Sequence, residues 1–119
     1  MLEILKPDFE FGDERGKLVQ LVHEKYNQVN VIESKAGFKR GGHYHKINRE
    51  CFYVVSGAFE LILKKDNKKE IYNFKKGDMF LINEYVTHDF IYKEDTILVS
   101  LYTNGVELEN GDKDIFKGE

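Results

Sequence analysis

The sequence predicts an all-β protein, an antiparallel barrel or double-sheet jelly roll, on three observations. Seven Tyr and nine Phe accompany a single Pro, a composition that favours strands. Short alternating polar and apolar segments are punctuated by Gly-containing turns. No segment keeps a helical period beyond two turns; Val19, Val22 and Tyr26 on one face come nearest. About nine short strands must then close or stack to hide their edges, leaving room inside for one small ligand.

In chain order, residues 2–5 and Phe9–Phe11 are the first predicted strands, followed by a turn at Gly12-Asp13-Glu14-Arg15-Gly16. Leu18–His23 and Val29–Ser34 come next. Cys51–Ser56 and Ala58–Lys64 flank Gly57, and the second of them alternates Phe59, Leu61 and Leu63 with Glu60 and Ile62. Lys65-Asp66-Asn67-Lys68 reads as a tight hairpin turn, because Asp and Asn accept its positive φ angles. Glu70–Phe74 returns, Lys75-Lys76-Gly77-Asp78 turns, and Met79–Ile82, Val86–Tyr92 and Thr96–Tyr102 complete the set. The lysine-rich stretch 64–76 is expected as the solvated face of a hairpin.

The 119 residues are expected to form a single domain with one core, 1–119, ending in a polar tail from about residue 104. Val106, Leu108, Ile115 and Phe116 are the tail's apolar anchors. It either crosses the barrel or a neighbouring subunit, or stays disordered. Apolar runs are too short for a membrane span, and no basic region precedes a long apolar segment. The one cysteine, Cys51, cannot pair within the chain, which fits a reducing cytoplasm. A net charge of −3 without a basic stripe argues against nucleic acid as a partner.

Four residues carry the candidate chemistry. His43 and His45, two apart in an extended segment, point to one face while Tyr44 looks away. Glu50 opens an alternating run in which Glu50, Phe52 and Val54 share a face. His88 follows a short apolar strand and a turn. Three imidazoles and a carboxylate on one face are the parts of an acid/base site or of a metal site. The donor types suit Zn, Fe, Mn, Ni or Co alike. Cys51 points away from Glu50 and is expected to pack rather than react.

From Gly37 to Gly57 the pattern Gly, five residues, His-x-His, four residues, Glu, six residues, Gly resembles the first motif of the cupins. Residues 77–92 are similar to the second, with Gly77 and His88 in place. There Asn83 stands for the usual proline, Tyr85 for the usual glycine and Tyr92 for the usual asparagine. This resemblance implies a cupin jelly-roll β-barrel with His43, His45, Glu50 and His88 converging near one mouth.

Two shorter stretches narrow it. Asp13-Glu14-Arg15-Gly16-Lys17-Leu18-Val19 resembles the opening of the 3,4-ketoisomerases of dTDP-linked 4-keto sugars. Arg40-Gly41-Gly42-His43 resembles an Arg-Gly-x-His element of the dTDP-4-dehydrorhamnose 3,5-epimerases. The resemblance implies an enzyme of cell-surface polysaccharide biosynthesis that shuttles a proton beside a ketone. His43 would be the base and His45 its partner; Arg40, Tyr92 or Tyr102 would steady the oxyanion. Arg40, Lys46 and Tyr102 would hold the sugar nucleotide. No cofactor is required in that reading. The ketoisomerases generally lack a glutamate where this chain has Glu50, so two other readings stand beside it. One is a small metallocupin, a dioxygenase or isomerase, with metal on His43, His45, Glu50 and His88. The other is a sugar-binding cupin without catalysis. A homodimer is expected, paired through the amphipathic strands Phe9–Phe11 and Leu18–Val22.

Overall fold

A computed structural model describes residues 1–118. Twelve strands account for its regular structure: β1 (Leu2–Leu5), β2 (Phe9–Asp13), β3 (Gly16–Gln20), β4 (Gln28–Ser34), β5 (Lys39–Tyr44) and β6 (Glu50–Ser56), then β7 (Ala58–Lys65), β8 (Lys68–Lys75), β9 (Met79–Ile82), β10 (Thr87–Tyr92), β11 (Thr96–Tyr102) and β12 (Phe116–Lys117). One sheet runs β1-β9-β6-β11-β4 and the other β12-β5-β10-β7-β8, every pairing antiparallel. This is the two-sheet jelly roll that the composition predicts. β2 and β3 form a separate ribbon, paired only with each other.

The interior between the sheets divides into two ends. At one end lies an apolar cluster that includes Phe52, Phe59, Phe74, Phe80 and Phe90, each at most 6% exposed. Phe80 stacks on Phe74 with ring centroids 4.2 Å apart. Full burial of such a side chain contributes on the order of 2–3 kcal/mol, so this end holds the sheets together. The other end carries the histidines.

The hairpin turn at 65–68 has the expected geometry, with Asp66 at φ 51° and Asn67 at φ 65°. The strand expected over Leu18–His23 stops at Gln20 instead. Leu21, Val22 and Tyr26 leave the ribbon and cover a second apolar cluster of Cys51, Met79, Leu81 and Leu101 on the back of the first sheet. Cys51 is fully buried there, the packing role expected of it. Alternation alone cannot distinguish a strand from a segment that packs on one. The helical period over Val19–Tyr26 forms no helix.

Up to residue 118 the polar tail lies across the barrel. Asp114, 2% exposed, accepts hydrogen bonds from the backbone N–H groups of Lys46, Ile47 and Asn48 at 2.9, 3.0 and 3.1 Å, and from the Asn48 amide at 2.8 Å. The Asn48 carbonyl oxygen in turn accepts from the N–H groups of Asn104 and Gly105. β12 then adds an edge to β5. A single carboxylate thus fastens the tail to the loop that follows His45.

Candidate functional site

A β-bulge assembles the site. In β5, His43 pairs with His88, but Gly41 pairs with Asp89, leaving Gly42 as an extra residue. Strict alternation would send Arg40 and His43 to opposite faces. The extra residue restores their agreement, and Arg40 and His43 line the same cavity. Glycine is needed here: a Cβ on Gly41 would sit 2.3 Å from the His88 carbonyl oxygen, and both Gly41 and Gly42 have positive φ. His88 enters from β10 and Glu50 from the start of β6, at positions that face inward.

The four predicted groups converge. Ring centroids lie 5.3 Å apart for His43–His45, 4.6 Å for His43–His88 and 5.4 Å for His45–His88. One nitrogen of each ring falls within 4.8 Å of the others. Glu50 Oε1 lies 3.2 Å from His45 Nε2 and 3.7 Å from His88 Nε2, while its Oε2 accepts a 2.6 Å bond from Ser100.

The three histidines differ in character. His45, 3% exposed, donates from Nδ1 to the Asp114 carbonyl oxygen at 2.6 Å, so a bond from Nε2 to Glu50 requires the imidazolium. Burial alone would lower its pKa; the Glu50 carboxylate and the Asp114 carbonyl outweigh that and raise it. Burial would raise Glu50, but the hydrogen bonds from His45 and Ser100 hold its carboxyl below the usual range. His88, 1% exposed, is pushed down to about 4 by burial, partly offset by Glu50, and its Nδ1 faces the Val86 carbonyl oxygen. His43, only partly buried, is lowered by burial and by neighbouring His45, which keeps it neutral near pH 7.

A cavity of about 390 Å³ opens on this cluster, lined by Arg40, His43, Glu50, His88, Tyr92 and Tyr102 among others. Arg40 is held by the Ser34 hydroxyl at 2.8 Å and the Glu33 carbonyl at 3.2 Å. Burial raises the pKa of both the Tyr92 and Tyr102 phenols, with Glu50 adding to it at Tyr102, so both are neutral donors. His45 belongs to the cluster but stands behind the cavity wall, its ring nitrogens on the Asp114 carbonyl oxygen and on Glu50. One expected site residue lies elsewhere. Lys46 is exposed, its Nζ 4.1 Å from the centre of the Phe116 ring, because it follows the inward His45 and points out.

Ser100 and Asp114 belong to the site as supports, although neither lies in a motif. Ser100 could have been found from the parity of its strand; Asp114, 69 residues from His45, leaves no local signal.

The donor set also fits a divalent transition metal. The Nδ1 of His45 and of His88 faces a backbone carbonyl, the outer contact that orients metal-binding imidazoles. Neutral His88 then aims a bare Nε2 lone pair at the Glu50 carboxylate, a juxtaposition that a cation would relieve.

Comparison with known proteins agrees with this architecture. The 3,4-ketoisomerase of Helicobacter canadensis superposes with a TM-score of 0.81 at 20% identity, over 97% of this chain and 89% of that one. A TDP-quinovose 3,4-ketoisomerase from Campylobacter jejuni gives 0.83 at 19% identity, over 98% and 92%. The dTDP-4-dehydrorhamnose 3,5-epimerase of Bacillus anthracis gives 0.72 at 23%, over 86% and 71%. These likenesses establish the fold, the jelly roll implied by the cupin motifs. No protein of curated function matches the sequence. The family model described as the polysaccharide biosynthesis C-terminal domain matches residues 11–113, nearly the whole chain. The chain belongs to that family.

Proposed function

We propose that the protein modifies a nucleotide-linked 4-keto sugar for polysaccharide biosynthesis, moving a proton at carbon next to the ketone as an epimerase or 3,4-ketoisomerase does. The observation that carries this reading is His43, a neutral and partly exposed imidazole on the wall of a cavity whose other histidines are sealed. The names of the structural neighbours, dTDP-sugar ketoisomerases and an epimerase, support the substrate class.

In this mechanism a ring nitrogen of His43 takes the proton α to the ketone. The C–H electron pair becomes the enolate double bond, and the carbonyl pair moves onto oxygen. A neutral phenol, Tyr92 or Tyr102, donates to that oxygen, and Arg40 supplies positive charge to it or to the diphosphate. A ketoisomerase then returns the proton from His43 to the former carbonyl carbon, while the oxygen on that carbon gains a proton and the hydroxyl on the α-carbon loses one to become the new ketone. An epimerase delivers a different proton to the opposite face of the same carbon from one of the two phenols, and the phenolate left behind recovers a proton through solvent as the His43 imidazolium gives one up.

The test is solvent deuterium incorporation into a dTDP-4-keto-hexose. His43→Asn should lower turnover on the order of 10²–10⁴-fold while nucleotide-sugar binding persists. Binding without exchange in the wild type would instead identify a sugar-binding protein.

A metal is the second reading, favoured by the bare His88 nitrogen facing Glu50. His43, His45, His88 and Glu50 would hold it, and a bound Zn, Fe, Mn, Ni or Co ion would polarise the keto oxygen. Full turnover after exhaustive chelation supports the histidine mechanism alone. Loss on chelation, restored by one of these ions, transfers the leading role to the metal.

Two further proposals accompany the reaction. The ribbon leaves Phe9, Phe11 and Leu18 more than half exposed, and Val29 and Val31 are still more exposed on edge strand β4. A homodimer would cover these surfaces. A cytoplasmic location fits the unpaired, buried Cys51.

A further inference from the structure

The back of the second sheet carries a feature unrelated to the cavity. An open groove of about 800 Å³ runs over the end of the β7–β8 hairpin, walled by Lys64, Lys65, Lys68, Lys69 and Lys117. Among the described residues, Asp66 is the one acidic residue lining it. Among the described residues, none of these lysines forms an ion pair, although the chain as a whole is net negative.

A lysine-bearing hairpin is ordinarily just a solvated turn, and two observations take this one further. Lys64 is directly opposite Lys69, and Lys65 directly opposite Lys68. Like charges in direct cross-strand register destabilise a hairpin, and here two such pairs are consecutive. Across the groove, Tyr85 adopts φ 63°, a left-handed conformation unfavourable for a residue with a Cβ, yet stays 54% exposed. Its ring stacks on Tyr44 at 6.2 Å, and Tyr44 stacks on Phe116 at 5.6 Å. Two local costs, one electrostatic and one conformational, therefore meet at one groove.

We propose that this groove binds an anionic saccharide chain, its carboxylates or phosphates over the lysines and a sugar ring against Tyr85 and Tyr44. A cluster of lysines attracts any polyanion; the exposed Tyr85 ring adds a preference for one built of rings. The choice of a sugar rests on the polysaccharide reading above, while the groove's existence does not. It lies outside the cavity that holds His43, so binding there and turnover are separable.

The experiment titrates the full chain with fluorescent oligogalacturonate, with polyglutamate of equal charge and with a neutral maltooligosaccharide. Oligogalacturonate should bind about tenfold tighter than polyglutamate, and the neutral sugar should not bind measurably. Tyr85→Gly, which suits the backbone angle, should remove that preference and leave polyglutamate binding unchanged. Lys65→Glu with Lys69→Glu turns both like-charge pairs into opposite-charge pairs, so the hairpin should fold and both polyanions should be lost. Both variants should retain nucleotide-sugar turnover. Equal affinity for the two polyanions, no binding of either, or an unaffected Tyr85→Gly variant would overturn the proposal. Failed turnover with intact groove binding would sink the catalytic reading and leave this one standing.

Discussion

Two stacks of aromatic rings lie on opposite sides of the second sheet, and they are made differently. Inside, Phe74, Phe80, Phe52 and Phe90 pack at 4.2–5.2 Å with almost no exposure. Outside, Tyr85, Tyr44 and Phe116 stack more loosely, at 6.2 and 5.6 Å, with Tyr85 in water. Burial turns the inner rings into cohesion. The outer rings contribute little of that, and the Tyr85 ring stays open to a partner.

Substitution should expose this contrast, most strongly at Phe80. Phe80→Ala removes a fully buried ring from the middle of the inner stack and should cost about 3–5 kcal/mol. Thermal unfolding should show a fall in Tm of roughly 10–20 °C. A fall of only a few degrees would mean that the inner stack is not the cohesive element.

Asp114 tests what joins the two sides, because its hydrogen bonds tie the tail to the loop after His45. Asp114→Ala should cost about 2–3 kcal/mol, by leaving the buried Asn48 N–H and the part-buried Lys46 and Ile47 N–H groups unsatisfied. Burial would raise this carboxyl, but those N–H groups and Asn48 hold it below its ordinary value. Its contribution is therefore fully present above about pH 4 and is lost as pH falls through the lower folded value. Urea titrations at pH 7 and pH 3 should give a larger wild-type-to-variant gap at pH 7; a constant gap would remove the carboxylate from the account.

The smallest effect belongs to Tyr85→Gly. Relief of the left-handed backbone offsets the lost stack and the extra freedom of glycine in the unfolded chain. Stability should change by less than about 1 kcal/mol in denaturant titrations. A loss comparable to that of Phe80→Ala would erase the distinction between the stacks.

Much of the site was legible because it obeys strand parity. His43 and His45, Glu50 and His88 could each be placed on an inward face from spacing alone, and the cupin-like glycines bounded the turns. Tyr85, noted as standing where a glycine is usual, takes the backbone angle a glycine would. What spacing does not encode is contact between distant segments. Asp114 and Ser100 act on the site across 50 residues or more. The fate of Leu21 and Val22 depended on an apolar patch on the back of a sheet formed later in the chain. Lys46 illustrates the reverse error, since proximity in sequence to two histidines says nothing about direction.

The bulge at Gly42 behaves as a phase shifter along β5. Upstream of it, every side chain's facing is inverted relative to what His43 would dictate. Deleting that one residue would place Arg40 two positions from His43, so a regular ladder would keep His43 opposite His88 and Arg40 opposite Phe90 on the inward face. Flattening the bulge with the residue kept would instead slip the upstream half by one position, turn Arg40 outward and bring Lys39 toward the cavity. The guanidinium beside the base would then give way to a mobile ammonium without any change in the histidine cluster.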